Sequence, residues 1–222
     1  MDPNKIYGFF FKGDFDNYYL GHQFEEIFKA RIYSPYLEKN PKLKVVLDIG
    51  GNLGLFSLYA SKYAESVFCV EPSAEHFDNI TRMITFNELS NVRPLKKAIF
   101  TEDITLPLFG NKNKTMYSLH SAVADQSIQP ELVEAVTLAT LFKANNIEHV
   151  DLMKLDVEGT ESEILSSQSF KEVADKIDTI VLEVHNWNGR HPNQVKEALK
   201  NNGFTVESIP NDANILVARR SK

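Results

Sequence analysis

The sequence predicts an α/β fold: a seven-stranded, mostly parallel sheet with helices on both faces and a C-terminal antiparallel hairpin. Three observations predict it. From residue 44 onward, short apolar runs alternate with amphipathic stretches, the pattern of strand–helix units that pair in parallel. Glycines 50, 51 and 54 crowd together directly after the first of these runs. The last two apolar runs are separated only by the turn-forming Pro210-Asn211-Asp212, which leaves no room for a crossover helix.

Residues 1–43 carry the aromatic clusters GFFFKGDFDNYYLG and ARIYSPYLE and read as a helical or irregular N-terminal cap on a domain spanning 44–222, within one domain overall. KVVLDI, 44–49, is a buried strand, after which Phe56, Tyr59, Ala60 and Tyr63 fall at helical spacing. SVFCVE, 66–71, is the second strand, and Pro72-Ser73 opens a helix with Phe77, Ile80 and Ile84 on one face. VRPLKKAIF, 92–100, reads as a third strand, at an edge because Pro94 cannot donate to a ladder. The stretch 101–148 fits the alternation poorly. It holds the polar GNKNKTMYSLHS and a helix around TLATLFKANN, and an insertion of this kind is expected to form part of the substrate site.

HVDLMKLDV, 149–157, is the fourth strand, and Thr160 with Glu163 predicts a capping box for the next helix. IDTIVLEVH, 177–185, is the fifth. Pro192 then starts a helix with Val195, Ala198 and Leu199 as its apolar stripe, ended by Asn202-Gly203. FTVESI and ANILVARR are the closing strands.

The bulk properties narrow the classes. The 222 residues are 43% hydrophobic and 24% charged, ordinary for a globular protein. A net charge of −6 and a pI near 5.6 argue against a nucleic-acid-binding face. The single cysteine, Cys69, excludes an intramolecular disulfide and a multi-cysteine metal site, and reads as a small buried hydrophobe. MDPNKIYGFF does not read as a signal peptide, and no window reaches the ~18 apolar residues of a membrane span. The expectation is a soluble cytoplasmic protein; oligomeric state is not legible.

The glycine stretch lies where an open α/β sheet binds its ligand, outside the carboxyl end of a strand. A dinucleotide fingerprint needs glycines at relative positions one, three and six, and a P-loop needs Gly-Lys-Ser/Thr. Neither pattern is met by Gly50, Gly51 and Gly54, since Leu55 follows. The arrangement is Asp48-x-Gly50-x-Asn52-x-Gly54, with an acid inside the strand end. A carboxylate there repels a pyrophosphate but meets a cationic ligand, directly or through water. S-adenosylmethionine, with its sulfonium and ammonium, is such a ligand. Glu71, ending the second strand, is placed to accept hydrogen bonds from both ribose hydroxyls.

LDIGGNLGLFSLYAS, VEPSAEHFDNI and VDLMKLDVEGTESEIL together resemble the FkbM-type methyltransferase family. The third segment carries the most characteristic signature, Lys154-x-Asp156-x-Glu158-Gly159-x-Glu161. The similarity runs from about Val45 to His185. It implies a Rossmann-like class I methyltransferase fold and S-adenosylmethionine-dependent methylation, mostly of hydroxyls on sugars and natural products. Two departures are Gly51, where the family often has Ala, and Ala139, where it tends to have an acid. The cofactor set expected is Asp48, Gly50, Gly51, Asn52, Gly54, Glu71 and Ala98.

Lys154 interrupts a strand that should be buried on both faces, and a buried lysine is costly unless paired. Lys154 and Asp156 share a face, Glu158 follows in the loop, and Glu161 reads as a helix-start acid. A sugar hydroxyl needs its proton removed as the methyl arrives. Asp156 and His185, taken as a neutral ring, are the candidate bases, with Lys154 holding the carboxylate and Glu158 beside it. Asn186 and Trp187 could hold a ring-shaped acceptor, and His120 is a weaker base candidate. His22, His76, His149 and His191 read as surface or capping residues. A divalent metal on Asp156 with His185 or Asn186 stays possible and unassigned. Rival readings are transfer to nitrogen or to a macromolecule, a non-catalytic binding module, and a nicotinamide-dependent dehydrogenase.

Overall fold

The computed structural model of the chain describes residues 5–6, 9–10, 21, 23–29, 32–38, 42–111, 116–121, 125, 127–185, 192–210 and 212–221. His22, Asn186, Trp187 and His191 therefore lie outside the described residues.

The first strand of the main sheet, β1 (Leu43–Ile49), is central. Helix α1 (Leu55–Ala60), strand β2 (Ala64–Val70), helix α2 (Ala74–Phe86) and strand β3 (Val92–Leu95) build outward from it on one side. Strands β4 (Ala98–Ile99), β5 (Ile104–Gly110), β6 (Tyr117–Ser118) and β7 (Glu131–Val136) form a separate sheet in the order β4-β7-β5-β6. Helix α3 (Leu138–Ala144) leads back to β8 (Val150–Leu155), which pairs in parallel with the other side of β1. Helices α4 (Glu161–Ser166) and α5 (Gln168–Val173) precede β9 (Ile177–Glu183). Helix α6 (Pro192–Asn201), β10 (Phe204–Ile209) and β11 (Asp212–Arg220) end the chain.

The main sheet has seven strands in the order β10-β11-β9-β8-β1-β2-β3, with β11 antiparallel to both neighbours. The predicted α/β class and antiparallel ending are as expected. Chain order reverses between β1 and β8, so the ligand crevice belongs at their carboxyl ends.

Alternation along the strands explains their unbroken apolar runs. Leu47, Ile49, Met153 and Leu155 face one core with Leu141, Leu165, Phe170 and Leu199 from the helices on that side. Val46, Val67 and Leu152 face the other, with Phe56, Ile80 and Met83. Parallel strands covered on both faces have no solvent side to make polar. Asp48, Cys69 and Lys154 share parity with this second set, so their side chains enter it beneath the glycine turn.

Residues 34–37 form a short helix, and Tyr33 and Phe28 from the N-terminal region pack on α1. The Tyr33 and Phe56 rings meet edge-on at 4.7 Å between centroids, and Phe28 lies 5.2 Å from Tyr59. Each such pair contributes about 0.5–1.5 kcal/mol beyond its area. Among the described residues no helix is long and apolar enough to cross a membrane.

Three expectations change. The third strand is not continuous from 92 to 100. It stops at Leu95, and Ala98–Ile99 pairs with β7 in the second sheet. Within 101–148, β5 pairs antiparallel with β7, a pattern hidden because Pro107 interrupts ITLPLFG. The capping box is absent: Thr160 has φ −101° and ψ 9°, not the extended geometry an N-cap needs, and makes no cap hydrogen bond. Glu161 instead reaches back outside the helix, accepting from the Gly159 N–H at 3.1 Å.

Candidate active site

A cavity opens at the carboxyl ends of β1, β2 and β8. Gly50, Asn52, Glu71 and Ala98 line it on the β1–β2 side, and Asp156, Glu158 and Thr160 on the β8 side.

Gly50 is where bare backbone is needed. Its φ is +82°, and a Cβ there would sit 1.7 Å from the Asp156 carbonyl oxygen. Next to it, a Cβ on Gly51 would lie 2.5 Å from the Cys69 sulfur. Gly54, in the left-handed region, opens α1 and touches Met83. Gly51 and Gly54 do not line the cavity. The glycines therefore bring the turn against its own protein as much as against a ligand.

Asp48 is 0% exposed and also off the cavity wall. Its Oδ2 accepts from the Ser57 hydroxyl at 2.6 Å and lies 3.7 Å from the Cys69 sulfur. Its Oδ1 lies 3.7 Å from Lys154 Nζ. A direct contact with a cationic ligand does not follow from this position. Asp48 instead anchors the turn from behind.

Lys154, register partner of Asp48 across the β1–β8 ladder, is buried and paired as its cost demands. Its ammonium donates to the Gly50 carbonyl at 2.9 Å and to Asp156 Oδ2 at 3.1 Å. Burial disfavours the charge, but Asp156 and Asp48 hold the pKa well above the usual lysine value. Lys154 thus ties both strand ends to each other and orients Asp156.

Glu71 is 4% exposed. Its Oε2 accepts from the Asn52 N–H at 2.8 Å and its Oε1 from the Ser73 N–H at 2.9 Å. Each oxygen keeps lone pairs for a diol. Burial pushes its pKa to about 7, against the pull of those two backbone donors. Asn52 has φ 49° and Glu158 φ 57°, left-handed conformations for non-glycine residues on the two walls.

His185 is set among carboxylates. Its Nδ1 pairs with Glu161 Oε1 at 2.9 Å, while Nε2 lies 3.1 Å from Glu158 Oε2 and 3.9 Å from Asp156 Oδ1. Burial opposes the ring's charge, yet the Glu161 hydrogen bond and the Glu158 and Asp156 charges hold its pKa up at about 10. The ring is thus an imidazolium near pH 7, which overturns its reading as a neutral base. Burial raises the Glu158 pKa as well, against the His185 charge. Glu161, 1% exposed, is more than a helix-start acid: it fixes the orientation of His185.

Four contributors escaped sequence reasoning. His76, expected at the surface or as a capping residue, gives its N–H to the Ser73 cap, but its side chain is 4% exposed on the cavity wall; its Nδ1 lies 3.9 Å from Glu71 Oε1 and its ring stands edge-on to Tyr117 at 4.9 Å. Its spacing with Ile80 and Met83 (i, i+4, i+7) was the available signal. Leu108, Tyr117 and Leu119 of the second sheet complete the wall, so part of the insertion faces the same cavity as Glu71. His120 is spent on the loop after β8, its Nε2 3.1 Å from the Gly159 carbonyl, and Ser118 donates to the Glu158 carbonyl at 2.6 Å. His149 is exposed, as expected.

Residues 48–206 match the methyltransferase FkbM domain family. The Sordaria araneosa methyltransferase sdnD is 28% identical over 89% of this chain and 88% of its own. The hexuronic acid methyltransferase AglP of Haloferax volcanii is 24% identical over 83% and 74%. Among solved structures, M. capricolum TrmK, determined with the cofactor product S-adenosyl-homocysteine, superposes with a TM-score of 0.50 at 11% identity, covering 88% of this chain and 69% of its own.

Proposed function

Given that the chain belongs to the FkbM methyltransferase family and is an S-adenosylmethionine-dependent methyltransferase, we propose that it methylates a hydroxyl group of a sugar or small natural product. The observation that carries this reading is one cavity with two chemically different walls. In this reading Glu71 at the end of β2 accepts the ribose hydroxyls; it lines the cavity with Asn52 beside it and Ala98 and Ile99 on the apolar side. Asp156 and Glu158 face the same space from the end of β8.

In the reaction the S–CH3 bond breaks as an O–CH3 bond forms, and the hydroxyl proton leaves to a base. Asp156 has the position for that base. Its Oδ2 is fixed by Lys154, and its Oδ1 lies 3.9 Å from His185 Nε2. His185, carrying its proton, steadies Asp156 and Glu158 electrostatically. Holding acceptor and methyl in line supplies much of the rate, so the rigid ties among Lys154, Gly50 and Asp156 matter as much as basicity.

Calorimetry with S-adenosylmethionine and with NAD, then release of S-adenosyl-homocysteine over a panel of hydroxylated sugars, tests the proposal. Asp156→Asn should keep cofactor binding while turnover falls roughly 10²–10⁴-fold. NAD binding without S-adenosylmethionine binding, or methyl transfer confined to amines, would overturn it.

A further inference from the structure

The side chains around His185 have more negative charge than the described cations beside them offset. Asp156, Glu158, Glu161 and Glu183 all place a carboxylate oxygen within 3.9 Å of its ring nitrogens. Their order is more specific than an acidic patch. Glu161, buried behind the ring, takes Nδ1 at 2.9 Å and so turns Nε2 toward Asp156 and Glu158. Carboxylate–histidine support of this kind is how proteins aim an imidazole at a metal. One ligand atom each from Asp156, Glu158 and His185 lies within 4.8 Å of the others.

From this geometry we infer that Asp156, Glu158 and His185 Nε2 form a binding site for one divalent cation of the Mg2+/Mn2+ class, at the wall of the cofactor cavity. Octahedral ligands about 2.1 Å from such an ion stand about 3 Å apart when adjacent. Nε2 and Glu158 Oε2, at 3.1 Å, already have that spacing. Asp156 Oδ1, at 3.9 Å from Nε2, must close by slightly less than 1 Å, a side-chain adjustment. The donor set has two carboxylates, one imidazole and no thiolate, which suits a hard ion that keeps several waters.

Two groups on the same wall also point to a ligand. Among the described residues, Glu158 Oε2 is sealed from solvent and has no partner beyond the His185 ring nitrogen at 3.1 Å. Thr160, 1% exposed and lining the cavity, has a hydroxyl with no hydrogen-bond partner among them.

The cation sits between Nε2 and Glu158 Oε2, 3.1 Å apart, with any proton on Nε2 released to solvent. An acceptor hydroxyl bound beside it would lose its proton more readily, passing it to solvent water, since both Asp156 oxygens are then engaged by the cation and Lys154. In that role the inference rests on the hydroxyl-methylation reading, but the binding site stands without it. A second grouping, His149 with Asp151 and Asp178, is exposed and far from the cavity. There Asp151 Oδ2 already accepts the Lys44 and Val45 N–H groups, both at 2.8 Å.

The test uses chelator-treated full chain, with Mn2+ titrated and the free ion read by electron paramagnetic resonance. S-adenosylmethionine binding is measured by calorimetry on the same samples. Wild type and His149→Ala should each take up one Mn2+ with equal affinity. Glu158→Gln and Asp156→Asn should weaken it at least tenfold. Glu161→Gln should weaken it about 10–100-fold through the histidine. Retained cofactor binding certifies that a variant is folded. Absence of saturable Mn2+ uptake by wild type, loss through His149→Ala, or unchanged affinity in both folded ligand variants overturns the site. Mn2+ uptake at this cluster without S-adenosylmethionine binding would instead overturn the functional reading and leave the cation site intact.

Discussion

Replacing Lys154 by Met should cost stability out of proportion to the packing lost, because it strands a buried charge. The lysine is 6% exposed, and its ammonium contacts the Gly50 carbonyl at 2.9 Å, Asp156 Oδ2 at 3.1 Å and Asp48 Oδ1 at 3.7 Å. Methionine keeps the apolar stem and removes all three contacts. Asp156, near the cavity, can turn toward water. Asp48, 0% exposed, cannot, and Ser57 satisfies only its Oδ2. Leaving one member of a buried pair costs about 3–5 kcal/mol. For a chain of this length that lowers Tm by about 6–20 °C.

The loss should depend on pH. Burial already raises the Asp48 pKa, and Lys154 is the main charge pulling it down. Without Lys154 it rises further. A carboxyl raised in the folded state stabilises fully below its unfolded pKa and loses that contribution as pH rises through its folded pKa. The Lys154→Met deficit should therefore be larger at pH 8 than at pH 5. Adding Asp48→Asn removes the stranded charge and should recover about 2 kcal/mol of the loss, the coupling expected for a contacting pair. Urea unfolding followed by circular dichroism measures all three chains. A single-variant cost below about 1 kcal/mol, or a double variant no more stable than the single, would refute the argument.

Other outcomes follow from the same geometry. S-adenosylmethionine affinity should rise with pH through about 7, because the ionised Glu71 is the better acceptor for ribose hydroxyls and burial sets its pKa there. Calorimetry should also show proton release on binding near pH 6.5, and Glu71→Gln should abolish both effects. Gly50→Ala should fail to fold or should open the β1–β8 junction, since its Cβ would lie 1.7 Å from the Asp156 carbonyl oxygen; circular dichroism melts detect either. Gly51→Ala should destabilise by about 1–3 kcal/mol through overpacking against Cys69, and Cys69→Ala in the same chain should restore most of it in urea titrations.

The main strands were legible because covered parallel strands are apolar on both faces, so KVVLDI and IDTIVLEVH need no periodicity to stand out. The second sheet was not, because β5 and β7 pair antiparallel across a loop and Pro107 breaks the alternation. The split after Leu95 was hidden for a similar reason: Lys96-Lys97 reads as a charged step within a strand until β7 claims Ala98 and Ile99.

By itself the sequence determined the sheet, its antiparallel ending, the position of the crevice and the residues at its rim, because those depend on hydrophobic pattern and on spacing along the chain. Burial and approach between distant segments were decided only in the tertiary structure. Asp48 was expected to meet a ligand, and the parity of β1 turns it inward to Ser57, Cys69 and Lys154. The glycines were expected to yield to a cofactor, and Gly50 and Gly51 yield to Asp156 and Cys69. His185 was expected neutral, and the carboxylates of Asp156 and Glu158 in the loop after β8 and of Glu161 at the start of α4 hold its proton. A side chain's charge state is set by what folds against it, and residues 24 to 29 positions apart become neighbours only once β8 and β9 pair.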